Sequence, residues 1–258
     1  MKTIAIAVAI SSLSLTSTVM AADLYTMPDV SVSGLASLTT DYLFRGVSQT
    51  SNNAAVQAGM TFTHSSGAYL STWGSSIASG AGGLELDLLL GYGTKLAVTP
   101  RLNATLDVGV MRYNYPGLNA GNAGSQPDYN ELYGSLKFDE AVMKGDAAKV
   151  GFAYSPDYFL ESNAFWNVYG EYSMPIGSTP FGFVSHVGYN QFDDVASMNK
   201  SLGTVGTDDS YVDYKVGATF GLQGLGGDLS YIGSNISDSD CAGNLCSGRV
   251  VFSLTKTF

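Results

Sequence analysis

Over most of the chain, hydrophobic and polar residues alternate with a period of two. That period marks strands with one face in an apolar medium. From Gly83 to Leu96, Leu84, Leu86, Leu88, Leu90 and Tyr92 stand opposite Glu85, Asp87 and Lys95. From Arg101 to Tyr115, Leu102, Ala104, Leu106, Val108 and Val110 stand opposite Asn103, Thr105, Asp107, Gly109 and Tyr113. From Tyr211 to Phe220, Val212, Tyr214, Val216, Ala218 and Phe220 stand opposite Asp213, Lys215 and Thr219. The pattern predicts twelve strands, near 33–45, 53–64, 68–76, 84–96, 101–115, 129–139, 148–155, 163–174, 181–192, 210–221, 228–234 and 247–258. At about ten residues each they exceed the usual globular strand and suit a tilted strand crossing a bilayer.

The connections sort by length. Those after even-numbered strands are mostly tight, such as His64-Ser65-Ser66-Gly67 and Val98-Thr99-Pro100. Those after odd-numbered strands are mostly longer, such as Tyr115 to Asp128 and Gln191 to Asp209. Short turns at one end and long loops at the other belong to outer-membrane barrels, and an even strand count returns both termini to the periplasmic side. In a bilayer every backbone N–H and C=O needs a partner, so a spanning sheet has to close. The expected fold is therefore all-β, an antiparallel transmembrane β-barrel of twelve strands over residues 22–258. A cleaved signal peptide over residues 1–21 precedes it: Lys2, then the apolar run from Ile4 to Ile10, then Val19-Met20-Ala21 at the cleavage site. No later segment holds 18 uninterrupted apolar residues, so no transmembrane helix is expected.

Composition agrees. Of 258 residues only 13% are charged, while 31 are Gly, 16 Tyr and 12 Phe. The net charge of −10 comes from 12 Lys and Arg against 22 Asp and Glu. This excludes disorder, which needs low hydrophobicity and many charges. It also excludes a nucleic-acid binder, which needs clustered cations. Cys241 and Cys246, five apart, are expected to form a disulfide after export. No metal site and no cofactor are expected. Interfacial aromatics are expected at Tyr42 and Phe44 near the outer rim, and at Tyr92, Phe138 and Tyr172 near the inner rim. Arg112 falls on the lipid side near the outer end, where it could pair with lipopolysaccharide phosphate or be turned inward by a bulge. The last strand sets Val250, Phe252, Leu254 and Phe258 on one face. A terminal Phe there resembles the signal read by outer-membrane assembly machinery.

The segment Leu38-Thr39-Thr40-Asp41-Tyr42-Leu43-Phe44-Arg45-Gly46-Val47-Ser48-Gln49-Thr50 resembles the N-terminal signature of the TorF-type porins, a proteobacterial group. Glu85-Leu86-Asp87, Tyr113-Asn114-Tyr115-Pro116-Gly117, Glu131-Leu132-Tyr133, Tyr154-Ser155-Pro156-Asp157-Tyr158 and the Gly248–Phe258 end are similar in order, so the likeness spans almost the whole mature chain. The resemblance implies a bacterial outer-membrane barrel acting as a channel, and says little about its solute.

By strand parity the inward charged and titratable candidates are Asp41, Arg45, Glu85, Asp87, Asp107, Glu131, Lys137, Lys149, Glu171, His186, Asp213, Lys215 and Arg249, with Lys95 near a turn. Opposed charges across a narrow pore orient polar solutes and hydrated ions. The same residues could equally be ion pairs that brace a small barrel. The long loops carry Asp128, Asp157, Glu161, Asp193, Asp194, Asp208, Asp209, Asp238 and Asp240, which should concentrate cations at the mouth. Asp238 and Asp240 could hold a divalent ion, though the rest of a calcium loop is missing. The Gly- and Asn-rich loop from Pro116 to Asp128 could fold inward and constrict the bore.

The expected function is passive diffusion of small hydrophilic solutes, with a weak preference for cations. The expected surroundings are outer-membrane lipid and lipopolysaccharide. Two rivals stand beside it. One is an outer-membrane barrel enzyme of lipase or protease type, for which His186 is the candidate base because His64 sits at a turn. The other is a non-conducting structural or adhesive barrel, since twelve strands lie between filled eight-stranded and open sixteen-stranded barrels.

Overall fold

The computed structural model describes residues 29–97, 103–222 and 224–258. The expected signal peptide and the Val98-Thr99-Pro100 turn lie outside the described residues. The strands are β1 (Val30–Thr39), β2 (Leu43–Phe44), β3 (Val47–Ser48), β4 (Ala55–His64), β5 (Ala68–Ser76), β6 (Leu84–Ala97) and β7 (Asn103–Asn114). They continue as β8 (Tyr129–Asp139), β9 (Ala147–Ser155), β10 (Phe165–Pro175), β11 (Phe181–Phe192), β12 (Ser210–Leu222), β13 (Leu225–Ser234) and β14 (Arg249–Thr257). Two short helices lie in the loops, α1 (Ala120–Ala123) and α2 (Val195–Leu202).

Twelve of the strands form one closed barrel in the order β1-β14-β13-β12-β11-β10-β9-β8-β7-β6-β5-β4. Every pairing is antiparallel, and β1 against β14 seals the seam with Leu38 opposite Leu254. Phe258 and Gly34 exchange backbone hydrogen bonds of 3.0 and 2.7 Å, which carry the seam to the last residue. Closure leaves no strand edge unpaired in lipid.

Alternation decides what faces outward. Leu84, Leu86, Leu88, Leu90 and Tyr92 on β6 are exposed, and Leu132, Val150, Phe152, Val168, Val187, Val216, Leu229 and Val250 continue the belt around the wall. On a closed outer-membrane barrel such a belt faces hydrocarbon. Tyr92, Phe138 and Tyr172 lie outward near the short-turn end, as the pattern predicts.

At the long-loop end the girdle is Tyr154, Trp166, Tyr189 and Tyr231, with the Trp166 and Tyr189 rings 5.4 Å apart. Tyr42 and Phe44 do not belong to it. The predicted strand 33–45 ends at Thr39, and the chain then turns into the barrel. The cause is local. Arg45 and Gly46 both take positive φ, 48° and 77°, the two-residue turn of a tight hairpin. β2 and β3 flank that turn as a separate two-stranded sheet, with Leu43 opposite Ser48 and Phe44 opposite Val47.

The packed core is inside the barrel, not between sheets. Ile77, Tyr113, Tyr115, Tyr129, Tyr158, Phe165, Phe192, Met198 and Tyr211 form it, and Tyr42 and Phe44 pack against it. The Pro116–Asp128 loop stays mostly exposed, capped through the Asn119 side chain, so the inward constriction comes from residues 40–54 instead.

Candidate functional site

The lumen has two halves. In the long-loop half the hairpin tip meets the wall. Arg45 donates through Nη1 and Nη2 to the two oxygens of Glu131, at 2.7 and 3.0 Å, and through Nη1 to the Tyr158 hydroxyl at 3.1 Å. Its guanidinium lies 4.6 Å from the Phe44 ring centroid and 4.7 Å from that of Phe165. Glu131 accepts a further bond, from the Tyr113 hydroxyl at 3.0 Å. The Tyr42 hydroxyl donates to Glu85 at 2.9 Å. Asp87 is buried beside them, and one of its oxygens has no hydrogen-bond partner among the described residues.

The hairpin base is pinned separately. Asp41 accepts from Ser48 Oγ at 2.7 Å, Thr50 Oγ1 at 2.6 Å and Arg249 Nη1 at 3.0 Å. The Ser48 N–H donates to the Leu245 carbonyl at 2.8 Å, and Asn52 Nδ2 donates to that of Gly243 at 2.9 Å. Both acceptors sit near the Cys241–Cys246 disulfide, whose Cα atoms are 6.0 Å apart. Val47 packs against the two sulfur-bearing residues.

In the short-turn half the inward residues are charged, some partly open and others, such as Asp213 and Asp228, buried. Lys149 donates to Glu171 at 3.2 Å. His186 sits between two carboxylates, 2.8 Å from Asp213 through Nε2 and 3.5 Å from Glu171 through Nδ1. Lys215 pairs with Asp228 at 3.0 Å, and Lys137 with Asp139 at 2.9 Å. Glu171, His186 and Lys137 keep 22%, 19% and 31% of their side-chain surface open, against 3% for Glu131.

Three tyrosines shape this half. Tyr69 stands opposite Gly91, Tyr133 opposite Gly109 and Tyr169 opposite Gly151 on neighbouring strands. A Cβ at any of these glycines would overlap the tyrosine facing it, so each ring lies flat along the wall. Tyr69 and Tyr133 join through their hydroxyls, and Tyr69 also donates to Asp107 at 2.7 Å.

The predicted inward residues separate into groups. Asp41, Arg45, Glu85, Asp87, Glu131 and Arg249 hold the plug. Asp107, Lys137, Lys149, Glu171, His186, Asp213 and Lys215 line or brace the wet half, and Lys95 is exposed at its rim. Asp228 was missed although it opens the predicted segment 228–234; β13 itself begins earlier, at Leu225. The plug aromatics Tyr113, Tyr129, Phe165, Phe192 and Tyr211 were missed as a cluster, although parity places them inward beside the charges. Arg112 is outward and pairs with Asp128 at 3.2 Å.

His186 offers no free nitrogen to a nucleophile, since both ring nitrogens meet carboxylates. Ser185 points the other way, toward the Tyr172 carbonyl. A carboxylate–imidazole–carboxylate row can hold and pass a proton, or brace a wall, but it lacks the base–hydroxyl contact that acyl transfer needs. Among the described residues no group of three or more His, Cys, Asp or Glu is arranged to hold a metal ion.

A closed barrel with an apolar outer belt, a polar wet lumen and an inward plug defines a bacterial outer-membrane β-barrel. The chain belongs to the Gcw_chp family, described as a bacterial protein of unknown function, whose family model matches residues 26–258. Among curated proteins nothing matches. Among solved structures the chain is similar to LpxR from Salmonella typhimurium, with a TM-score of 0.46 and 12% identity over 88% of this chain and 99% of that one. It is similar to the COG4313 outer membrane channel from Pseudomonas putida F1, with a TM-score of 0.46 and 11% identity over 93% and 100% of the two chains. It is also similar to OpdQ of Pseudomonas aeruginosa, with a TM-score of 0.44 and 10% identity over 90% and 68%.

Proposed function

We propose that the protein is a porin-like channel for passive diffusion of small hydrophilic solutes, weakly preferring cations. The observation that carries this is the wet half of the lumen. Glu171, His186 and Lys137 there stay partly open, and its tyrosines are held flat against the wall by glycines. A barrel built only for bracing would fill that space with side chains, as the other half is filled. The cation preference rests on an excess of lumen carboxylates over Lys and Arg, together with the acidic outer loops. The resemblance of the Leu38–Thr50 segment to the TorF-type porins points the same way. The plug hairpin limits flow, so the resting conductance is small.

The packed aromatic half favours one second reading, a barrel that does not conduct. Planar-bilayer recording of the refolded mature protein under a salt gradient separates the two. Discrete steps, with a reversal potential on the cation side, are expected. A silent bilayer, with folding established by heat-dependent gel mobility, leaves the non-conducting barrel. In this reading residues 1–21 are a signal peptide, which N-terminal sequencing of the outer-membrane form tests. Phe258 is the end that assembly machinery reads, which deletion of that residue tests through loss of outer-membrane yield.

A further inference from the structure

The contact that holds the hairpin tip has the form of a ligand in a binding site. Glu131 comes from β8, Tyr113 from β7, Phe165 from β10, and Tyr158 from the loop between β9 and β10. All four belong to the barrel wall and its rim. Together they offer a carboxylate for a two-point bond, a hydroxyl acceptor, an aromatic face and a second hydroxyl that fixes the carboxylate. That set matches the planar fork of a guanidinium and no smaller cation equally well. Arg45 fills it from a hairpin that has its own anchors at Asp41, Ser48 and Asn52, away from the tip. The tip therefore adds a group to a site that the wall already carries.

Stability alone gives a poor account of this arrangement. A buried Arg–Glu pair is no better, on average, than apolar side chains of the same volume. The surrounding cluster is already aromatic, so a Leu at position 45 against an apolar residue at 131 would pack there.

We propose that this wall patch is a guanidinium-binding site which Arg45 occupies as a tethered competitor, so that small solutes carrying a guanidinium group are the ligands that displace the plug. The inference deepens the channel reading by naming a solute class. The site itself is testable without any conduction.

The experiment uses full-length refolded Arg45→Ala protein, with Arg45→Gln as a second variant that keeps most of the side-chain volume. Guanidinium chloride at low millimolar concentration is the probe, against sodium chloride at equal ionic strength. Unfolding temperature is followed by heat-dependent gel mobility and aromatic fluorescence. Guanidinium is expected to raise the unfolding temperature of both variants by roughly 3–6 °C at ten times its Kd. Wild type, whose site is filled, is expected to show no such shift, and Arg45→Ala with Glu131→Gln is expected to lose it. In bilayers the same ion should raise wild-type conductance by displacing the hairpin tip, and should raise that of Arg45→Ala no further. Absence of a guanidinium-specific shift in both single variants overturns the proposal, as does an equal shift in wild type. A specific shift with silent bilayers supports the site and defeats the channel reading. Clear conduction with no shift supports the channel and defeats the site.

Discussion

The two halves of the lumen are walled by the same twelve strands, yet one is a packed aromatic core and the other is lined by charged side chains, three of them partly open. In the long-loop half, Phe165, Phe192 and Cys246 are almost fully buried, and even Glu85 and Glu131 are shut away from water. In the short-turn half, Glu171, His186 and Lys137 remain partly open. Strand alternation does not make this difference, because it is continuous along each strand. What differs is which chain enters. One connection, from β1 to β4, folds back into the bore and brings Tyr42, Phe44 and Arg45 with it. A polar wall becomes a core once a partner arrives to cover it, and stays a charged lining where none does.

Removing that partner is the largest test of the contrast. With residues 42–49 replaced by a short Gly-Ser linker, single-channel conductance should rise several-fold over wild type while the barrel still folds. Unchanged conductance would mean that the hairpin does not limit flow. Next comes the energetic difference between the halves. Phe165→Ala empties a tightly packed position and should cost about 3–5 kcal/mol in denaturant unfolding. Lys137→Ala breaks an ion pair whose partner Asp139 is 60% open, and should cost about 0–1 kcal/mol. Comparable losses at the two positions would erase the distinction between core and passage. A smaller effect is expected on selectivity. Lys137→Glu reverses one charge in the wet half and should move the reversal potential further to the cation side, whereas Arg112→Glu, on the outer surface, should leave it in place.

The strand pattern carried most of the architecture. A period of two that survives for ten residues demands a long strand with unlike media on its two faces, and each of the twelve predicted segments overlaps a barrel strand. The plug was hidden by the same rule. Read as a strand, Leu38–Thr50 continues the alternation and puts Tyr42 and Phe44 toward lipid, and only the Arg45-Gly46 pair marks the turn. The inward aromatics were equally visible by parity. Tyr113, Tyr129 and Tyr211 share their faces with Glu131 and Asp213, but aromatic residues on a barrel are ordinarily assigned to the membrane interface. Pairings such as Arg45 with Glu131, 86 residues apart, were beyond reach, because strand parity gives the face of a residue and not its neighbour across the bore. Asp228 opened the predicted segment 228–234 but was not read as inward, because Gly226 and Gly227 before it give alternation no side chains to report.

The smallest expected effect lies at the edge of the packed half, where α2 covers it. Met198 on α2 is buried in the aromatic cluster, so the helix closes one side of the core. Asp194 caps that helix, accepting the Ser197 N–H at 2.7 Å. This bond, with one from the Ser197 hydroxyl, holds the Asp194 carboxyl below the ordinary carboxylate range. A depressed carboxylate contributes its stability above the unfolded pKa, near about 4, and loses it as pH falls through the folded value. The cap should therefore be intact at neutral pH and weaken only in the acid range. Amide exchange at Ser197 and Met198, corrected for its intrinsic pH dependence, should accelerate there, while amides of β10 next to Phe165 stay protected. Asp194→Asn keeps a capping oxygen but does not titrate, so its exchange should show no such step. A step of equal size in that variant would place the acid sensitivity elsewhere in the loop, and α2 would no longer be the pH-dependent edge of the packed half.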